Sequence, residues 1–156
     1  MKHKFFRLLG LSALLLSLTN LSAAELEVEA PWVRAAPPGA PALAAFMLLH
    51  NHSHTTLTLV AASTSLASSR VELHRTMMQD GHMKMVPQAQ IPVEPHSTTS
   101  LEPGSWHIML IGPEQVPGEG EQVEITLFFD DGSEQRVIAM VRKAMGMAHE
   151  HQSHSE

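Results

Sequence analysis

Hydrophobic residues beyond position 24 recur in short, mostly alternating runs, and sustained helical periodicity is hard to find. Nine runs predict β-strands: LEVEAPWVRA, ALAAFMLLHN, TLTLVAAST, RVELHRTM, HMKMVPQ, TTSLEP, WHIMLIG, QVEITLFFD and EQRVIAMVRK. Segments rich in Pro, Gly and Asp separate them: APPGAP, QDGH, IPVEPHS, GPEQVPGEGE and DDGSE. Short strands at regular spacing are typical of a sandwich or barrel. We therefore predict an all-β domain, a β-sandwich of about eight to nine short strands.

Two of the turns contain Asp-Gly between alternating runs, in MQDGHM and FFDDGSEQ, and this pair is a strong signal for a β-hairpin. With Asp80 and Gly81 at the centre of the first turn, the register pairs Met78 with Met83, Thr76 with Met85, and His74 with Pro87. Side chains alternate between faces with period two. The register therefore predicts that His74 and Met85 are diagonal neighbours on one face. The other face receives Met77, His82 and Lys84.

The N-terminus has the features of a secretory signal peptide. Three basic residues precede the apolar run LLGLSALLLSL, and the small residues SAA follow it. The apolar run is short for a membrane span, so we expect cleavage after Ala24 and no span afterwards. The predicted organisation is a signal peptide at 1–24, one domain at 25–143 and a flexible tail at 144–156.

Charge and cysteine content exclude several function classes. The chain has 16 Asp and Glu against 10 Lys and Arg, three of which belong to the signal peptide, so the mature formal charge is −9. This acidic balance argues against nucleic-acid binding. The chain has no cysteine, so disulfides, thiolate metal sites of the blue-copper kind and a lipid anchor on cysteine are not expected. Any metal must be bound by His, Met, carboxylate or backbone groups.

The segment GSWHIMLIG offers a second pair of such groups. His107 and Met109 are two residues apart and project from one face of the predicted strand, whereas Trp106 and Ile108 point the other way, into the core. If this face meets the hairpin face, the site combines two imidazoles and two thioethers: His74, Met85, His107 and Met109. Thioether sulfur is a soft, neutral donor that favours Cu(I) over Zn(II), Mg(II) or Ca(II). The residues thus predict a Cu(I) site.

The spacing of these four residues is specific: ten residues separate His74 from Met85, and twenty-one separate Met85 from His107-x-Met109. It resembles the signature of the periplasmic copper chaperones of the PCu(A)C type. The flanking segments PWVRAAPPGAPALAAFMLLHN and RVELHRTMMQDGHMKMVP are also similar to that family. The resemblance implies a periplasmic protein with a cupredoxin-like, Greek-key β-sandwich and these four copper ligands. It also implies copper delivery to subunit II of cytochrome c oxidase.

Several other Met and His residues have more than one interpretation. Met47 and Met140 lie in apolar runs and are expected to fill the core. Met78 and Met83 share the proposed face, as secondary sulfur donors or as simple packing. The alternating His50, His52 and His54 form a solvated loop or an imidazole site for Cu(II) or Zn(II). His82 lies at the turn on the other face, and His96 is expected to be a surface or hydrogen-bonded residue.

The C-terminal segment AMGMAHEHQSHSE has a composition typical of metal binding. We expect an auxiliary Cu(II) site there, with a merely solvated tail as the alternative. Its candidate ligands are Met145, Met147, His149, His151 and His154.

These features favour a carrier over an enzyme, because no nucleophile motif is recognisable and two thioethers disfavour the oxidised ion. A copper-buffering or resistance protein without a specific client is the main alternative, and a copper oxidase or monooxygenase is a weaker one. The expected partner is a copper-accepting oxidase subunit, with another periplasmic copper carrier as a further candidate. We expect the protein to be a monomer.

Overall fold

The computed structural model describes residues 25–67 and 69–144. These residues form ten β-strands: β1 (Leu26–Arg34), β2 (Ala42–Asn51), β3 (Leu57–Thr64), β4 (Arg70–Gln79), β5 (His82–Gln88), β6 (Ile91–Val93), β7 (Ser97–Leu101), β8 (Trp106–Ile111), β9 (Gln122–Phe129) and β10 (Glu134–Arg142). Over these two ranges the chain has no helix with the length and apolar character needed to cross a membrane. The predicted signal peptide and all five candidate ligands of the tail lie outside the described residues.

The strands form one hydrogen-bonded sheet in the order β5-β4-β8-β7-β2-β1-β10-β9-β3-β6, and β8 also pairs with β2. The pairs β1–β10 and β7–β8 are parallel, and the others are antiparallel. Strands far apart in the ladder also pack together, β3 against β4 and β6 against β2 and β7. The sheet therefore curls over itself and encloses the core. Because the elements of the described residues are all strands, the predicted all-β class is confirmed.

Strand β6 is the one strand of the described residues that the nine predicted runs did not include. It lies in the segment IPVEPHS, which the sequence analysis interpreted as a break between strands. Pro92 is the reason, because proline has no backbone N–H for a ladder and usually argues against a strand. Here β6 pairs with β3 alone at one end of the sheet, where an unpaired edge tolerates proline. Ile91 and Val93 on either side are fully buried, so burial of two apolar side chains holds this short strand in place.

The core follows the period-two pattern of the strands. On β2 and β8 the inward positions are Leu43, Ala45, Met47, Leu49, Ile108 and Leu110, all 3% exposed or less. Met47 is therefore a core residue, as predicted. The prediction for Met140 is wrong, because that side chain is 42% exposed. Its neighbours Ala139 and Val141 face inward, and the alternation of β10 turns Met140 outward.

The hairpin of β4 and β5 has the predicted register. Asp80 (φ 51°) and Gly81 (φ 77°) both adopt the left-handed conformation that a two-residue type I′ turn needs. The pairs Gln79–His82, Met78–Met83, Thr76–Met85 and His74–Pro87 follow directly. The second predicted hairpin joins β9 and β10 through residues 130–133. This turn chemistry fixes which face of β4 and β5 each methionine occupies.

Candidate metal centre

The two buried histidines of the predicted set lie on adjacent strands. His74 on β4 is directly opposite His107 on β8, and their ring centroids are 5.7 Å apart. His74 is 9% exposed and His107 is 2% exposed. The sequence left open how the faces of the two segments meet. They meet side by side within one sheet.

Each imidazole uses one ring nitrogen for a hydrogen bond that fixes its tautomer. His74 Nε2–H donates to Glu72 Oε2 at 2.9 Å, and His107 Nδ1–H donates to the carbonyl oxygen of Ser105 at 3.0 Å. In the neutral rings the other nitrogens, His74 Nδ1 and His107 Nε2, therefore carry lone pairs. Across residues 25–67 and 69–144, neither of these buried atoms finds a hydrogen-bond partner.

The separation of the two rings and the chemistry of their free nitrogens suit a shared metal ion. With metal–nitrogen bonds of about 2.0–2.1 Å, two imidazoles on one ion have centroids about 5–6 Å apart. The observed 5.7 Å lies in that range. A buried ring nitrogen without a partner costs about 1–3 kcal/mol, and a metal ion satisfies it. Hydrogen bonding of the opposite nitrogen to a carboxylate or carbonyl is the usual support of a metal-bound histidine.

The register places both predicted thioethers on the same face as the imidazoles. Met85 on β5 is opposite Thr76, which makes it a diagonal neighbour of His74. Met109 on β8 is opposite Glu72 and two residues from His107. Met85 is 61% exposed, so the face is open to solvent on the β5 side. The structure thus brings all four predicted residues to one face of three neighbouring strands.

Aromatic residues lie on the β2 side of the centre, away from the open β5 side. The Phe46 ring lies 6.3 Å from the His107 ring and 4.7 Å from the Trp32 ring, and the Arg34 guanidinium lies 5.6 Å above Phe46. Burial lowers the pKa of His107 below 6.5, and the neighbouring His74 and Arg34 charges act in the same direction. The hydrogen bond to Ser105 opposes them. The lowered pKa of His107 favours the neutral ring, the form that binds a metal.

Glu72 has a supporting role that the sequence analysis missed. The hydrogen bond from His74 is the largest cause of a lowered Glu72 pKa, and Arg70 Nε, 2.9 Å from Glu72 Oε1, adds to it. The ionised carboxylate orients the His74 ring. Period two alone could have found Glu72, whose side chain lies two residues before His74 on the same face, whereas Ser105 acts through its backbone carbonyl, which period two does not predict. Phe46 depends on cross-strand pairing and had no such signal.

The remaining candidates lie elsewhere or outside the described residues. Met78 and Met83 pair on the same face nearer the turn and are 65% and 59% exposed. His50, His52 and His54 lie at and beyond the end of β2. In the described part of the chain, no group of three or more His, Asp or Glu side chains is arranged to bind a metal. On the face of the His74–His107 pair, the further soft donors that the register supplies are the thioethers of Met85 and Met109.

Lowering the pH from 7.5 to 5.5 is expected to destabilise the metal-free protein through His107. Its pKa is lowered in the folded state, so the unfolded chain binds a proton there in a range where the folded chain does not. This contribution is complete above the unfolded pKa of about 6.5 and is lost as the pH falls towards the lowered folded pKa. Glu72 acts in a separate window, below its ordinary 4.5.

Urea unfolding at the two pH values measures this effect. The variant His107→Gln is expected to lose less stability between pH 7.5 and 5.5 than the wild type. An equal loss in both proteins would contradict the assignment to His107.

The chain is similar to known proteins over most of its described length. A family model described as "Putative lipoprotein LpqE-like" matches residues 26–141. The curated protein "Putative lipoprotein Lxx21020" from Leifsonia xyli subsp. xyli is 35% identical over 121 residues, which cover 77% of this chain and 71% of the relative. Both matches include the strands that carry the candidate centre.

Solved structures share the fold. The copper-bound PCuAC domain from PmoF2 superposes with a TM-score of 0.65 at 22% identity, covering 77% of this chain and 94% of that domain. The solution structure of Cu(I)-DR1885 from Deinococcus radiodurans is 34% identical with a TM-score of 0.56, covering 82% of this chain and 83% of that one. The predicted cupredoxin-like β-sandwich is confirmed.

Proposed function

Because this chain belongs to the LpqE-like family, we propose that it is a copper chaperone that binds Cu(I) through His74, Met85, His107 and Met109. The family match and the shared fold confirm the resemblance to PCu(A)C proteins that the motif indicated. The 34% identical DR1885 has been solved with Cu(I), and this supports the same ion here. The ion is cargo rather than a resident cofactor.

One observation carries the proposal: two buried imidazole nitrogens with free lone pairs lie on adjacent strands. Their outer neighbours, Glu72 and Ser105, already hold both rings in the tautomers that a metal requires. A folded protein rarely leaves such atoms unpaired without a functional reason. Binding of one ion by His74 Nδ1 and His107 Nε2 supplies the missing interaction for both.

The methionines select the ion. Thioethers are soft and neutral, so a set of two imidazoles and two thioethers keeps the single charge of Cu(I) and disfavours Cu(II). Both sulfur donors also survive oxidising conditions that convert thiolates to disulfides. Met85 is 61% exposed, which leaves an approach for a partner that takes the ion. These are properties of a carrier, and they do not suit redox turnover.

Anaerobic Cu(I) titration of the mature protein, followed by X-ray absorption, tests the proposal. We expect one tightly bound Cu(I) with two nitrogen and two sulfur neighbours. His50, His52 and His54 offer imidazole but no thioether, so binding there has a different signature. An all-nitrogen shell would refute the proposed ligand set.

We further propose that the ion is delivered to the copper centre in subunit II of cytochrome c oxidase, as the resemblance implies. The expected result is transfer of copper from the loaded chaperone to the soluble copper-binding domain of subunit II, measured as the copper content of each protein after the two are separated. A mutant strain that lacks this protein should lose oxidase activity and regain it with added copper. Copper sensitivity with normal oxidase activity would instead indicate a buffering protein.

The cellular location follows from the same proposal. The Leifsonia relative is named as a lipoprotein, which suits a protein of the cell envelope. We propose that residues 1–24 direct export and that the mature protein acts in the periplasm as a monomer. We also propose that the tail, with Met145, Met147, His149, His151 and His154, binds Cu(II) as an auxiliary site.

A further inference from the structure

A second group of histidines lies around the end of β2. His50, His52 and His96 line a cavity of about 160 Å³ together with Asn51, Ser97 and Thr98, and His54 contacts His96. This group is separate from the Cu(I) centre. His50 is six residues along β2 from Ala44, the partner of Met109, which corresponds to about 20 Å at about 3.3 Å per residue.

His54 and His96 form a close imidazole pair. His54 Nδ1 and His96 Nε2 are 2.9 Å apart, and the rings meet edge to face with centroids 4.5 Å apart. His96 has φ 49°, a left-handed conformation that non-glycine residues adopt infrequently. The turn between β6 and β7 therefore holds His96 against a residue 42 positions earlier in the chain.

The separation of the two nitrogens matches one metal geometry. Two ligands at adjacent corners of a square-planar ion, with bonds of about 2.0–2.1 Å, are about 2.9 Å apart, whereas tetrahedral ligands are about 3.3 Å apart. Square-planar coordination by nitrogen is typical of Cu(II), and the first-row series also favours Cu(II) over Zn(II). In the metal-free chain these two nitrogens share a hydrogen bond, so binding of one ion by both requires that this bond opens and that the donor ring moves its proton to its other nitrogen.

Neighbouring groups prepare a third ligand. His52 Nε2–H donates to Glu27 Oε2 at 3.1 Å, which leaves the Nδ1 lone pair of the neutral ring free for a metal. His50 has a different role, because its two nitrogens already contact Glu29 at 2.9 Å and Thr98 at 2.7 Å. The carboxylates of Glu27 and Glu29 also favour a divalent cation nearby.

We propose that His54 and His96 form a Cu(II) site that His52 completes when its exposed ring rotates. Since no three such side chains in the described residues converge in the absence of metal, the resting site is a two-imidazole site with open positions. The protein would then offer two chemically distinct copper sites. Soft thioethers bind the reduced ion on β4, β5 and β8, and imidazoles bind the oxidised ion at the end of β2.

Paramagnetic NMR of the mature chain locates the site directly. As Cu(II) is added, we expect selective broadening of the amide signals of residues 50–55, 94 and 96–99. Because the proposed tail site also takes Cu(II), the titration continues to three equivalents, and amide signals of this region that stay sharp throughout would overturn the proposal. The wild-type protein serves for this measurement, so the result does not depend on the folding of any variant.

Substitution then tests the ligands. The double variant His54→Asn/His96→Asn is expected to bind one Cu(II) fewer than the wild type and to lose nitrogen hyperfine structure in its electron paramagnetic resonance spectrum. Asparagine tolerates the left-handed conformation at position 96, so the turn should persist. His82→Asn, at an exposed position of the β4–β5 hairpin, is the matched control. An unchanged Cu(II) stoichiometry and spectrum in the double variant would overturn the proposal.

The experiment is run in a background with His149, His151 and His154 replaced by Asn, which removes the imidazoles of the tail. We expect the Cu(II) equivalent at His54 and His96 to remain in that background. Its disappearance would assign the ion to the tail and refute the site. Anaerobic Cu(I) binding should be the same in the double variant as in its parent, which separates this site from the proposed chaperone function.

Discussion

Replacing Met109 by leucine is expected to lower the affinity for Cu(I) by about 100-fold or more. Changes in the groups that merely support a metal ligand typically cost 10–100-fold, and this substitution removes a ligand itself. Leucine has nearly the volume of methionine, so packing on β8 should change little. The same result is expected for Met85→Leu, whose side chain is largely exposed. Anaerobic competition with a chromophoric Cu(I) chelator measures both affinities.

Two other methionines provide controls, because the same Met→Leu change is made there in residues that are not among the four proposed copper ligands. Met47→Leu changes a buried core residue, and Met83→Leu changes an exposed residue two positions from Met85 on the same strand. Both should keep Cu(I) affinity within a few fold of wild type. If Met85→Leu and Met109→Leu bind as tightly as Met83→Leu, the two thioethers are not ligands. A large loss in Met83→Leu would give that residue a direct role.

Replacing Ile108 by alanine is expected to reduce the free energy of unfolding by about 2–5 kcal/mol, the usual cost of truncating a large core side chain. Ile108 is fully buried and lies between His107 and Met109 on β8, with its side chain on the opposite face. The strand that carries two proposed ligands is therefore anchored in the core by this side chain. Urea unfolding of the metal-free protein measures the loss.

The conservative variant Ile108→Val should lose only about 0.5–1.5 kcal/mol, because it removes a single methylene. Both variants keep the four proposed ligands, so Cu(I) should stabilise each of them, by about 4 kcal/mol at a free concentration 1,000 times the dissociation constant. Equal unfolding midpoints for Ile108→Ala and Ile108→Val would show that the core does not depend on this position. Loss of copper stabilisation in Ile108→Ala would show that anchoring by the core also sets the geometry of the centre.

Local patterns in the sequence determined the β4–β5 hairpin completely. Asp80 and Gly81 tolerate positive φ, so the turn type, the register and the face of every side chain follow from residues within fifteen positions of one another. The same period-two argument assigned Ile108 to the core and placed His107 and Met109 on one face. Hairpin interpretations of this kind succeed because the interactions involved are close together along the chain.

Long-range pairing was beyond the sequence. The adjacency of β4 and β8, which puts His74 opposite His107, joins residues 33 positions apart through backbone hydrogen bonds that any residue can make. For the same reason the sequence did not predict the contact of Phe46 with His107, the pairing of the edge strand β6, or the contact between His54 and His96. For Met140, an apolar run predicted burial, whereas the alternation set by Ala139 and Val141 exposed the side chain.

The sequence by itself thus determined the types of donor atoms and the strand faces that carry them, because residue chemistry and period two are local properties. Only the tertiary structure decided which faces are neighbours and which ring nitrogens stay free. Glu72 and Ser105 engage one nitrogen of each histidine, and burial beside Phe46 lowers the pKa of His107. These features depend on distances of a few ångströms between groups from different strands, and the order of strands in the sheet sets those distances.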